Sequence, residues 1–213
     1  GRVYEHKQDV KSEATDASHR YSEEERIGLW QTGKTAPENW NNPGHGATPY
    51  TMKAEVYAML DGLGISSHAV KEATFQSPVF SEGIELTYQN QSLGRLGLVR
   101  SEVAKKCGVN QPVFWADFSI VVLTKLSRRK RVKAKEIAKF PAVRRDLSLI
   151  LKKGTTFGQL RDCAAKAEKK LLKRVGLFDV YEGDKLAEGE VSYAISLTLQ
   201  DEERTLNEKQ IEQ

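Results

Sequence analysis

Six residues in the second half of the chain combine into a chemistry that none of them has alone: Lys139, Arg144, Arg145, Ser148, Tyr181 and Ser192. Lysine and arginine offer fixed positive charge to phosphate oxygens, serine hydroxyls hydrogen-bond to base edges, and a tyrosine ring presents a face to an unstacked base. The charge around them is concentrated. Residues 128–174 hold 17 Lys/Arg against 4 Asp/Glu, a net +13, whereas residues 1–127 hold 13 against 15 and residues 175–213 hold 3 against 10. So basic a block in a chain of net charge +4 is the footprint of a polyanion-binding surface. Single-stranded RNA is the polyanion that also uses the hydroxyls and the ring.

Other chemistries find less support. Cys107 and Cys163 are too few and too far apart for a disulfide framework or a zinc site, which fits a reducing cytoplasm. His6, His19, His45 and His68 have no metal-ligand spacing. No apolar run approaches the roughly 18 residues needed to cross a bilayer. The start, Gly1 to Glu5, has no secretory pattern and reads as the beginning of a piece cut from something longer. Gly94-Arg95-Leu96-Gly97 spells a GxxG but is flanked by strand patterns, so it reads as a turn rather than a KH loop. Pro43-Gly44-His45-Gly46 lacks the Lys-Ser/Thr of a P-loop and reads as an ordinary loop.

The elements that must position the six residues are legible in their neighbours. Leu147, Leu149 and Leu151 alternate with Asp146, Ser148 and Ile150, the pattern of a strand with one buried face. Arg144 and Arg145, where that strand begins, should point to opposite sides, one pairing with Asp179 or Asp201 and the other facing RNA. Phe157, Leu160, Ala164, Ala167, Leu171 and Val175 fall on one helical stripe, which assigns Arg161, Lys166, Lys169, Lys170 and Lys173 to the wet side of that helix. Val175 to Tyr181 and Val191 to Gln200 read as strands around a Glu182-Gly183-Asp184 turn, and Asn207 with Gln210 as the cap of a second helix. The order βαββα is the split βαβ, ferredoxin-like plan without its last strand. Its uncovered sheet face would carry Ser148, Ser192, Ala194, Ser196 and Thr198, with Tyr181 beside them.

Upstream the sequence predicts an α+β domain with a mostly antiparallel sheet. Arg26 to Leu29 reads as the middle of a strand and Met52, Val56, Met59, Leu60 and Leu63 as a helix. Ile84 to Tyr88 and Leu93 to Val99 read as strands around a Gln89-Asn90-Gln91-Ser92 turn, and Phe114 to Leu126 as one long apolar strand. The expected division is a first domain at 1–127, a basic linker at 128–139 and a second domain at 140–213.

Four ordered blocks in the second domain carry a family resemblance: Phe140 to Leu149, Leu177 to Gly183, Ser192 to Leu199, and Arg204-Thr205-Leu206. They resemble the ferredoxin-fold anticodon-binding domain of bacterial phenylalanyl-tRNA synthetase β subunits. Through Gly1-Arg2-Val3 and Tyr50-Thr51-Met52-Lys53, the first domain is similar to the synthetase-like region that precedes it in that family. The resemblance implies a class II synthetase-like domain without an active site, tRNA and a catalytic α subunit as partners in an α2β2 heterotetramer, and a cytoplasmic location. It also implies ATP and magnesium used by the full enzyme but neither held by this chain, the family's β-subunit magnesium site lying upstream of Gly1. Class II activation needs arginines on the ATP phosphates and acidic metal ligands. The first domain offers Arg2, Arg20, Arg26, Arg95 and Arg100 without a Gly-x-Gly-x-Gly run ending in arginine, so no residue is assigned a catalytic role.

Overall fold

The computed structural model describes residues 1–6, 20–127 and 136–208, and the chain divides into two units, Gly1–Lys133 and Ala134–Gln213. Most of the expected basic linker, and residues 209–213 with Gln210 of the expected second cap, therefore lie outside the described residues.

The first unit is built on strands β1 (Arg2–His6), β2 (Tyr21–Thr32), β3 (Lys71–Thr74), β4 (Phe80–Tyr88), β5 (Gln91–Val99) and β6 (Val113–Ser119), with helices α1 (Pro49–Gly62), α2 (Ser101–Lys106) and α3 (Ile120–Ser127). The strands form one sheet in the order β1-β2-β6-β5-β4-β3, every neighbouring pair antiparallel. Helix α1 starts at a reciprocal cap: the Thr48 hydroxyl accepts from the Thr51 amide at 3.1 Å, and the Thr51 hydroxyl from the Thr48 amide at 2.9 Å. Its apolar stripe, Met52, Val56 and Leu60, is buried with Leu123 and Leu126 of α3 against Leu86, Leu96, Ala116 and Phe118 of the sheet. Each such side chain contributes about 1.5–3 kcal/mol when fully buried.

Three expectations for this unit need correction. Phe114 to Leu126 is strand only as far as Ser119 and helix from Ile120. A continuous apolar run does not state its period, and Ser119 supplies the break by accepting from the Val122 amide at 3.5 Å. The four-residue turn is a two-residue one, because Gln89 and Asn90 both have positive φ, at 50° and 60°, and Gln91 and Ser92 already belong to β5. Gly94-Arg95-Leu96-Gly97 lies in the interior of β5 and is not a turn. A Cβ on Gly97 would stand 2.2 Å from the Glu82 carbonyl oxygen, so these glycines permit close backbone approach within the sheet.

The second unit contains β7 (Val143–Lys152), α4 (Phe157–Ala167), β8 (Leu172–Tyr181) and β9 (Glu190–Leu199). Its three-stranded sheet has the order β7-β9-β8, both pairs antiparallel. Val191, Ile195 and Leu199 are buried along one face of β9. On that face the Tyr193 hydroxyl donates to the Thr155 carbonyl at 2.9 Å, just ahead of α4, which places the helix there. A Thr156–Gln159 capping box opens α4.

Helix α4 ends two turns earlier than its apolar spacing predicts. The Glu168 carboxylate accepts from the amides of Lys170 at 2.7 Å and Leu171 at 2.8 Å, so a side chain takes over amides that a continuing helix would have bonded. Those bonds hold the Glu168 carboxyl below its ordinary pKa, Leu171 contributing first. Lys169 and Lys170 thus lie between helix and strand, and Lys173 and Arg174 lie in β8. Of the basic residues assigned to the helix, only Arg161 and Lys166 are on it.

Candidate nucleic-acid interface

Because side chains alternate across a strand, the register of the three-stranded sheet fixes what the face turned away from α4 presents. Arg144, Thr198 and Arg174 form one row from β7 through β9 to β8; Asp146, Ser196 and Gly176 form the next. Ser148, Ala194 and Asp179 follow, and then Ile150, Ser192 and Tyr181. Strand β8 carries an extra residue between Leu177, which faces Ile195, and Asp179, which faces Ala194. Phe178 is that bulged residue.

The chemistry of this face changes along its length. At one end Tyr181 is 42% exposed, with its ring folded over Gly183, where a Cβ would meet the phenolic oxygen at 2.5 Å. Beside it the Ser148 and Ser192 hydroxyls lie 3.3 Å apart, close enough to orient one another while both keep free lone pairs. At the other end the Arg144 guanidinium lies over the Phe178 ring, 5.4 Å from its centroid, and Arg144 Nε donates to Asp146 Oδ1 at 2.8 Å. Phe178 is 54% exposed.

Of the six sequence-chosen residues, the register brings Arg144, Ser148, Tyr181 and Ser192 to this one face. Arg145 does not join them: it pairs in register with Leu197 and so shares the face of Leu147 and Leu149. Lys139 is exposed in the segment before β7, a segment tied to the sheet where the Gln200 side-chain amide donates to the Phe140 carbonyl at 2.7 Å. The expected ion pair is also different. Arg144 pairs with Asp146 and not with Asp179 or Asp201, because Arg144 and Asp146 are two positions apart on the same face. Asp201 is instead buried, accepting from the Glu203 amide at 3.0 Å and from Arg204 Nε at 3.4 Å. The backbone donor is the chief reason its carboxyl sits below its ordinary pKa.

Sequence reasoning missed Phe178 and Arg174. Strict alternation from Leu177 would have sent Tyr181 to the helix side, and nothing in the residue types announces the bulge. Arg174 was hidden by the helix drawn too long; Glu168 ahead of two backbone amides was the available signal.

In the first unit Arg26, Arg2 and Arg100 are engaged by protein groups. Arg26 holds Asp117 through two bonds, Nε to Oδ1 at 2.9 Å and Nη2 to Oδ2 at 2.7 Å, and reaches Glu24 at 2.8 Å. Arg2 pairs with Glu23 at 2.9 Å, and Arg100 donates twice to the Ser77 carbonyl, at 3.2 and 3.1 Å. Arg95 lies over the Phe75 ring, 5.6 Å from its centroid.

Residues 1–120, more than half of the chain, match the family model described as the phenylalanyl tRNA synthetase beta chain CLM domain. The chain belongs to the phenylalanyl-tRNA synthetase β-chain family. A second model, the ferredoxin-fold anticodon binding domain, matches residues 138–213, the stretch that builds the three-stranded sheet. Family members similar to this chain include the phenylalanine–tRNA ligase β subunit of Bacteroides thetaiotaomicron, 39% identical over 193 residues, which are 90% of this chain and 24% of that protein. The β subunit of Porphyromonas gingivalis is 37% identical over the same shares. That of Haemophilus influenzae is 34% identical over 84% of this chain and 22% of its own length. The chain therefore spans about a quarter of the length of the curated relatives it matches. The mixed α+β architecture with antiparallel sheets and a ferredoxin-fold second unit agrees with the fold class read from the sequence.

Proposed function

We propose that this chain is the non-catalytic, tRNA-contacting portion of a phenylalanine–tRNA ligase β subunit, whose second unit receives unstacked bases near the anticodon. The observation that carries this reading is the sheet face turned away from α4, on which Tyr181, Ser148 and Ser192 converge. A ring supplies stacking, and paired hydroxyls supply hydrogen bonds to a base edge. In this reading Lys139 and Arg144 add phosphate contacts, Arg145 touches RNA only where the strand reaches around the domain edge, and the first unit packs against the catalytic α subunit in an α2β2 assembly. Amino-acid activation, with its ATP and magnesium, belongs to the α subunit in the cytoplasm. Arg2, Arg26 and Arg100 of the first unit, each committed to protein groups, support this division.

The test is titration of the anticodon stem-loop of phenylalanine tRNA at two salt concentrations. Tyr181→Ala should weaken it by roughly 1–3 kcal/mol, the value of one stacked base, with little change in salt slope. Lys139→Ala should weaken cognate and non-cognate RNA alike and flatten the slope by about one unit. The chain alone should catalyse no phenylalanine-dependent pyrophosphate exchange. Unchanged RNA affinity in the Tyr181 variant would remove the sheet face from the reading.

A further inference from the structure

The arginine end of the open face has a construction of its own. Arg144 and Arg174, from the two outer strands, flank Thr198 in one row. With neighbouring strands about 4.8 Å apart, their Cα atoms are separated by roughly 10 Å, a span that two extended guanidinium groups can close on one tetrahedral anion. Arg174 is exposed and makes no ion pair among the described residues. Arg144 is held from two sides: Phe178 lies under its plane, and Asp146 takes its Nε proton. That arrangement commits one of its five N–H donors and leaves both terminal nitrogens without a partner among the described residues. Behind the row Gly176 leaves the sheet low, since a Cβ there would press within 2.7 Å of the Ser196 hydroxyl.

An arginine whose plane is fixed before its ligand arrives loses less freedom on binding than a solvated one. Asp146 does not neutralise the site, because two guanidinium groups face one carboxylate in these rows. The anion that fits is one attached to a chain crossing the face, since the hydroxyl and tyrosine rows continue from the arginine row along the same strands.

We propose that Arg144 and Arg174 form a subsite for one RNA phosphodiester, with Phe178 and Asp146 as positioning residues that hold Arg144 flat. The inference rests on the RNA reading of this face and adds a second anchoring point, at Arg174, seven residues along β8 from Tyr181. A strand lying across the face then has a direction: a base at Tyr181 and a phosphate at the arginine row.

Anticodon stem-loops carrying a single uncharged methylphosphonate linkage, moved through the loop one position at a time, test this with the full chain. Unmodified protein should lose about tenfold in affinity at one particular linkage, the loss expected when hydrogen bonds to a charged group are removed. Arg144→Gln/Arg174→Gln should be indifferent to that linkage and should flatten the salt slope by about one unit. Phe178→Leu, which preserves bulk, should weaken binding severalfold at unchanged melting temperature, and Phe178→Tyr should restore it. A double variant that loses affinity equally at every linkage would make the row a diffuse electrostatic field and overturn the subsite. So would full competition by inorganic phosphate at matched ionic strength, the mark of a free-anion site. If Tyr181→Ala weakens binding while the double variant does not, the subsite falls and the RNA reading stands. If neither matters, both fall.

Discussion

The two units each turn one sheet face away from their main helical layer, and both faces hold arginines and aromatic rings, yet they are in opposite states. On the six-stranded sheet Trp30 stacks on Trp115 at 4.7 Å, Trp115 on Phe80 at 5.2 Å, and Phe80 meets Phe75 edge-on at 5.6 Å. Arg26 is spent on Asp117 and Glu24, and Arg95 lies on Phe75. Rings there stack on rings, and Arg26 is held by two carboxylates. On the three-stranded sheet the rings stand apart, the hydroxyls keep lone pairs, and Arg144 and Arg174 keep donors in hand. Residue type does not distinguish the proposed binding face from the self-contained one; the partners of each side chain do.

The largest effect that would sharpen this contrast comes from the floor of the larger sheet. Gly97→Ala forces a methyl against the Glu82 carbonyl at 2.2 Å, backbone that cannot swing aside. It should lower the stability of the first unit by about 3 kcal/mol or more, the upper end of overpacking costs, read as a urea midpoint shift. Next is Asp117→Ala, which strands a guanidinium only 20% exposed. A loss of about 1–3 kcal/mol is expected with RNA affinity unchanged. Arg144→Gln should do the reverse, changing stability by less than about 0.5 kcal/mol and weakening RNA.

Trp30→Ala is the matched control for Tyr181→Ala: the more exposed ring of the two, at 63%, should be silent in RNA titrations. Weakened binding in that variant would break the comparison. The helical layer should be equally silent. Thr156→Ala should cost about 1 kcal/mol through the lost cap of α4, and Arg161→Gln/Lys166→Gln should leave the salt slope as it was.

The smallest effect is a pH dependence of the second unit. The carboxyls of Glu168 and Asp201 both sit below their ordinary values in the fold. Their contribution is fully present above the unfolded-state values near 4 and is lost as the pH falls through the lower folded values. Thermal melts between about pH 5 and pH 2 should therefore decline more steeply in the parent than in Asp201→Asn.

What the sequence disclosed followed from how local the cause was. The alternation of Leu147, Leu149 and Leu151 and the stripe of Met52, Val56 and Leu60 are written in residues that touch their own neighbours, so those elements were legible. The end of α4 depended on one carboxylate choosing two backbone amides over solvent, and the end of β6 on one hydroxyl, events that apolar spacing does not record. Four of the six site residues share a face because a strand's own alternation and one hairpin arranged them. Arg174 reached it because α4 ends at Ala167, and Phe178 because it is the bulged residue of β8, neither of which spacing along the chain expresses.

The extra residue in β8 acts as a phase shifter. Leu177 faces the helix, and counting by twos from it assigns Tyr181 to the helix as well; the one residue not counted moves Asp179 and Tyr181 half a period and delivers them opposite Ala194 and Ser192. Segment length between Leu177 and Tyr181 is thus information of a different kind from residue identity. Substitutions there should be tolerated according to chemistry. Deletion of Phe178 leaves an odd interval, so plain alternation should keep Tyr181 opposite Ser192 and preserve base recognition, whereas insertion of one further residue should turn Tyr181 to the helix side in a domain that still folds.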